Sequence, residues 1–267
     1  MLTTVARSLV VCLLILLPVS CATVPETGRR QLLLVSPQEE VQLGLTEFDK
    51  MKKATPISHD AAANELVQRV GKRIAAVAPL PGAQWEFVVF DQPKTANAFC
   101  LPGGKVGVYT GILPITKDEA GLATVIGHEV SHAVARHGAE RISEGLLVQL
   151  GGVALDAALQ NKSQSTHEVA MQAFGLTSAV GVMLPHSRGQ ESEADHLGLL
   201  YMARAGYDPR QAVEFWKRFA SYNDKQGSHP IAFLSTHPVD DVRIKDLEAE
   251  LPRALEEYEK AGNRGLP

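Results

Sequence analysis

The chain is short of several things. Only three of its 267 residues are cysteine, too few for a disulfide scaffold. Aromatic residues make up 6% of the chain. Neither sign of charge dominates: 26 Lys+Arg face 30 Asp+Glu, a formal net charge of −4. With no basic excess to attract phosphates, no nucleic-acid partner is expected. A mean hydropathy of −0.03 excludes a protein of many membrane spans. No internal repeat or low-complexity tract is visible, which argues against solenoids and disordered arrays. What remains, 45% hydrophobic and 21% charged, is an ordinary globular balance.

The longest apolar run at the N-terminus is Leu9 to Leu17, too short for a spanning helix, which needs about 20 residues. It suits the core of a secretion signal, with Arg7 ahead of it and Pro18 behind. Val19-Ser20-Cys21 follows, which looks like a bacterial lipoprotein signal with Cys21 lipidated. Pro18 departs from that pattern, where Leu is usual. The expected organisation is a signal over residues 1–20, an anchor arm over 21–35 and one domain over 36–267. Ala22, not Asp, follows the cysteine, so the outer membrane, facing the periplasm, is the expected location, with simple secretion into the periplasm as the alternative. Cys12 would leave with the signal. Cys100 is then left without an intramolecular partner and reads as a buried small hydrophobe.

Ser36-Pro37-Gln38-Glu39 is a helix start, with Ser as cap and Glu at the third position. Asp60 caps a second helix running to about Val77. Trp85 to Phe90, Asn97 to Leu101 and Lys105 to Thr110 read as strands, the last two joined at Pro102-Gly103-Gly104. A long helix from about Thr116 to His137 comes next, and helices fill the rest. The fold class is α+β, mostly α-helical, with a small sheet packed beside a central helix.

The central helix carries His128-Glu129-Val130-Ser131-His132. Imidazoles at i and i+4 share one helix face and can hold a Zn²⁺ ion between them, with Glu129 beside it to take a proton from water. Ala123, Val125, Ile126, Val130, Ala133 and Val134 make the helix a buried one, where two His and a Glu need partners. Ala135 and Gly138 exclude a third His ligand at the usual extended spacing. His137 is assigned to the helix C-terminus, where a cation suits the dipole. The third ligand is then an acid on another helix. Glu191 and Asp195, at i and i+4, share a face. One could bind zinc while the other accepts the N–H of a ligand His. Glu193 points about 200° away from them on the helical wheel.

These motifs together resemble the HtpX and CAAX-prenyl-protease type of zinc metallopeptidase, family forty-eight of the metallopeptidases. HExxH followed by a distant ExxxD matches His128, Glu129, His132, Glu191 and Asp195. Asn97-Ala98-Phe99, Pro102-Gly103-Gly104 and Val108-Tyr109-Thr110-Gly111 resemble the family's strand pair. Thr236-His237-Pro238 with Arg243-Ile244 resembles its C-terminal motif. The resemblance implies a zincin-like (gluzincin) domain and peptide-bond hydrolysis with one Zn²⁺ held by His128, His132 and Glu191. Glu129 is then the general base, Asp195 supports the site, and His237 is a transition-state donor or a fourth ligand. Arg243 and Arg188 are weaker candidates for the same neighbourhood.

Lys105, Val106, Gly107, Val108 and Tyr109 are expected to form an edge strand that binds extended substrate. Residues 160–190 are a candidate lid. No internal membrane-spanning helix is expected, unlike the membrane-embedded branches. The implied partners are unfolded or misfolded envelope polypeptides, with the membrane reached through the lipid anchor. The competing expectation is a periplasmic chaperone for outer-membrane proteins that rarely cuts.

Overall fold

The computed structural model describes residues 20–178, 184–226, 233, 237 and 241–263. Residues 1–19 of the expected signal lie outside them. The expected arm is a hairpin instead: β1 (Ser20–Thr23), which includes Cys21, pairs antiparallel with β2 (Arg30–Leu33).

Local chemistry sets the first helices. Helix α1 (Pro37–Ala54) opens with the expected capping box: Glu39 N–H donates to Ser36 Oγ at 3.3 Å, and Ser36 N–H donates to Glu39 Oε2 at 2.9 Å. Helix α2 (Ala61–Ala75) is capped by Asp60, which accepts from Ala63 N–H at 3.1 Å. Its Val67, Val70 and Ile74 are fully buried.

A three-stranded sheet follows in the order β3-β5-β4. β3 (Glu86–Phe90) runs parallel to β5 (Lys105–Tyr109), and β4 (Ala98–Leu101) runs antiparallel to it. The turn between β4 and β5 uses Gly103 and Gly104 at φ of 84° and 80°, left-handed backbone that favours glycine.

This order corrects the expectation for β5. It is the central strand, its backbone committed on both sides, so no peptide can add to it. Val106 and Val108 are core, and Lys105 turns away to donate to Gln84 O at 2.6 Å. A Cβ on Gly107 would strike the rings of Phe99 and Phe90, and Tyr109 packs among those same rings. The edge strand is β4. It lies beside helix α3 (Glu119–Val134), which carries the His128-Glu129-His132 motif.

Every residue of α3 from Gly121 to Val134 is buried, as expected of a core helix. Its neighbours are α2, β4, α6 (Leu184–Arg204) and α7 (Arg210–Gln226), while α8 (Asp241–Asn263) covers α6 and α7. Trp216 on α7 is core, as expected. Each large apolar side chain buried here contributes about 1.5–3 kcal/mol.

α3 ends sooner than expected. Arg136 adopts left-handed backbone at φ 57°, and α4 (His137–Leu159) starts directly after it. Arg136 is held there by Glu40 Oε2 at 2.6 Å and Val35 O at 3.2 Å. His137 therefore opens a helix rather than closing one.

α4 is also the one described helix long and apolar enough, by length and composition, to cross a membrane, with an 18-residue mean hydropathy of 1.4. Ile142, Leu146, Leu150 and Val153 are exposed along it. α5 (Gln164–Ser178) packs back on α4, with Phe174 over Gly151 and Gly152, and residues 179–183 of the candidate lid lie outside the described residues.

The tightest crossing is between α3 and α6. A Cβ on Gly198 would lie 2.8 Å from His128 N, and one on Gly127 would lie 2.9 Å from Gly198 O. Only hydrogens fit between the two backbones. Gly198→Ala is expected to cost about 1–3 kcal/mol of stability through overpacking, read from denaturant unfolding. An unchanged midpoint would show that the helices are not in backbone contact.

Candidate active site

The α3–α6 contact brings the motif residues together. His128 and His132 lie one turn apart with their rings edge to face and their Nε2 atoms 3.1 Å from each other. Glu191 reaches in from α6, with its oxygens 3.4 Å from His128 Nε2 and 3.5 Å from His132 Nε2. His237 closes the group, its Nδ1 3.0 Å from Glu191 and 3.3 Å from His128 Nε2. One ligand atom from each of these four residues lies within 4.8 Å of the others. His237 therefore stands where a fourth ligand would. Its neighbours Thr236 and Pro238 lie outside the described residues. Its own N–H donates to Phe233 O at 2.8 Å, and Phe233 N–H donates to Ala96 O at 3.1 Å, just ahead of β4.

Asp195 does not reach the centre. It accepts from His128 Nδ1–H at 3.0 Å and is gripped by Arg243, whose Nε and Nη2 donate at 2.6 and 2.8 Å. Arg243 also approaches Glu191 at 3.2 Å and lies over the Trp216 ring. Asp195 is thus a positioning residue rather than a catalytic one, and it fixes which nitrogen of His128 faces the metal. Arg243 has the supporting place expected of it. Arg188 is exposed.

Glu193 is not a ligand, as its place on the wheel implied. It is nevertheless buried and accepts from His137 Nε2–H at 2.9 Å. His137 in turn bonds His132, Nδ1 to Nδ1, at 2.8 Å. The dipole role expected for His137 is corrected: it opens α4 rather than closing α3, and burial pushes its pKa down, which favours the neutral ring. The signal that could have pointed to it was a buried-helix motif ending in a further His.

The electrostatics ask for a cation. Burial pushes His128 down, yet hydrogen bonds and charge from Asp195 and Glu191 lift it to about 9. Burial and the neighbouring His128 charge keep His132 neutral, ready to offer a lone pair. Burial opposes ionisation of Glu191, but the surrounding histidines hold it well below the usual carboxylate range. Glu129 is pushed up by burial. Its Oε1 is buried and finds no hydrogen-bond partner among the described residues, with His237 Nε2 3.4 Å away. An orphaned carboxylate oxygen beside two imidazoles and a carboxylate fits a zinc site with one working base. Half-buried Cys100 on β4 feels the Glu129 charge, which adds to burial in raising its thiol pKa.

The sequence profile of peptidase family M48 matches residues 61–251. The chain belongs to peptidase family M48. It is a zinc metallopeptidase, and His128, His132, Glu191 and His237 form the cluster that could hold the metal. It is 43% identical over 188 residues to the mitochondrial metalloendopeptidase OMA1 of Schizosaccharomyces pombe, covering 70% of this chain and 53% of that one. It is 30% identical over 243 residues to the human metalloendopeptidase OMA1, covering 86% and 46%. It is 27% identical over 224 residues to the β-barrel assembly-enhancing protease of Yersinia pestis, covering 83% and 46%. The chain spans about half the length of these relatives.

The expected outer-membrane location is overturned by these relatives. Those at 43%, 36%, 39% and 31% identity, from two yeasts, Arabidopsis thaliana and Danio rerio, are all named as mitochondrial.

Asp195→Ala is expected to weaken zinc binding roughly 10–100-fold while all four possible ligands remain. Chelator competition measures this, and an unchanged affinity would remove Asp195 from the site's support.

Proposed function

We propose that this metallopeptidase is an endopeptidase of protein quality control, cutting unfolded or misassembled polypeptides presented in extended form. Cell-envelope proteins are one such class. The observation that carries the reading is the buried Glu129 carboxylate, whose Oε1 has no hydrogen-bond partner among the described residues, beside the ligand cluster and beside the edge strand β4.

β4 offers the substrate surface that β5 cannot. Asn97 O accepts from Tyr109 N–H, which places positions 97, 99 and 101 in the hydrogen-bonded pairs with β5. The backbone groups of Ala98 and Cys100 therefore point away from β5, and the Ala98 N–H donates to Asn97 Oδ1 at 2.9 Å, a bond that a substrate strand would replace. Main-chain pairing there reads backbone rather than side chains, which suits substrates of varied sequence. The word "protease" in the names of the Yersinia pestis and Vibrio cholerae relatives is coupled to β-barrel assembly, which supports misassembled polypeptides as substrates.

Bound zinc supplies Lewis acidity for water and for the scissile carbonyl. The chain's own residues do the rest. Glu129 takes the proton of the attacking water and returns it to the leaving amine. Its raised pKa, set by burial, suits a base that must also act as an acid. His237, 3.4 Å from Glu129, can donate to the developing oxyanion once it leaves the ligand cluster. Asp195 and Arg243 keep His128 in the productive orientation.

Glu129→Gln is expected to lower hydrolysis of an unfolded casein-type substrate by about 10²–10⁴-fold and to leave zinc content unchanged. Activity that survives either this substitution or full removal of zinc would defeat the proposal.

A further inference from the structure

The two imidazole ligands are supported differently. His128 rests on Asp195, which Arg243 clamps from α8. His132 has no carboxylate of its own. Its Nδ1 meets Nδ1 of His137, and the far nitrogen of His137 meets Glu193.

One placement of protons satisfies every atom in this second arm. The anionic Glu193 Oε2 accepts from His137 Nε2–H. His137 Nδ1 then carries a lone pair and accepts from His132 Nδ1–H. That leaves the lone pair of His132 on Nε2, the atom that faces the ligand cluster.

The outer end of the arm belongs to the N-terminal hairpin. Arg29 Nε–H donates to Glu193 Oε2 at 2.8 Å, and its two terminal nitrogens donate to both oxygens of Glu140 at 2.6 and 2.8 Å. Thr27 hydroxyl donates to Glu193 Oε1 at 2.5 Å. Gln31 donates to Ala135 O at 3.0 Å, at the break that swings His137 round. Had α3 continued as a helix, His137 would sit roughly 140° from His132 and could not reach it. Residues 27–31 all lie before residue 61, where the family match begins.

We propose that His137 and Glu193 position the second zinc ligand, His132, and that Arg29 of the β1–β2 hairpin is the outer clamp of that arm. The two ligands are then held from opposite ends of the chain: His128 through Asp195 and Arg243 on the last helix, His132 through His137, Glu193 and Arg29 on the first hairpin. The proposal rests on the zinc reading of the site, and its test reads zinc affinity rather than turnover.

The experiment is chelator competition for zinc on the full chain, with the unfolding temperature of the metal-free form measured beside it. His137→Phe is expected to weaken zinc binding roughly 10–100-fold, as loss of a partner behind a ligand does. Arg29→Gln is expected to weaken it several-fold, and Arg29→Lys to recover part of that loss. Because Arg29 acts through His137, the double variant should bind no more weakly than His137→Phe alone.

A hairpin that only anchors the fold would lower the unfolding temperature and leave zinc affinity within twofold of wild type. That result, or losses that simply add in the double variant, overturns the proposal. Should His137→Phe fail to fold, the Arg29 pair decides alone, since that side chain is 34% exposed. A wild-type chain that binds no zinc would instead overturn the metal reading itself.

Discussion

Everything at the site depends on two glycines. Gly127 and Gly198 let the backbones of α3 and α6 touch, and no side chain could stand between them. Gly127 directly precedes His128. Gly198 follows Asp195 by three residues, about one turn. The contact therefore sets how far Glu191 and Asp195 stand from the histidines, and hydrogen bonds near 3.0 Å follow from it. It also explains why α3 is buried on every side. Sheet, α2, α6 and α7 each cover part of it, so its polar residues had to find partners inside the protein.

Burying that much charge is costly unless it is matched. Glu129, Glu191 and Asp195 bring negative charge to a site with little solvent, and Arg243 answers only part of it. The remaining demand falls on His128, whose pKa is lifted to about 9 against the push of burial. A cation in the cluster would take that role from the proton. His132 stays neutral beside it, so one imidazole already has a free lone pair and the other gives one up as metal arrives. Affinity for zinc and the fold's tolerance of buried carboxylates have the same origin.

The parts of this site that obey local rules were readable in the sequence. HExxH on an apolar helix follows from helix geometry, as do the shared face of Glu191 and Asp195 and the cap at Ser36. What depends on long-range pairing was not. β5 looked like an edge strand because nothing local says that β3 returns to pair on its other side. The end of α3 was missed because Arg136 takes a left-handed conformation without the glycine that usually marks one. His137 was accordingly placed on the wrong helix. Glu193 read as a residue facing away, and only the hairpin's return brings Arg29 to it. The apolar face of α4 was hidden because hydropathy averaged over the chain does not reveal one exposed helix.

The most direct test of the account is X-ray absorption spectroscopy of the zinc-loaded protein. It should show three or four nitrogen and oxygen ligands at about 2.0–2.1 Å, with imidazole scattering and no sulfur. A sulfur scatterer at about 2.3 Å, which only Cys100 or another thiol could supply, would mean that His128, His132 and Glu191 do not form the metal centre.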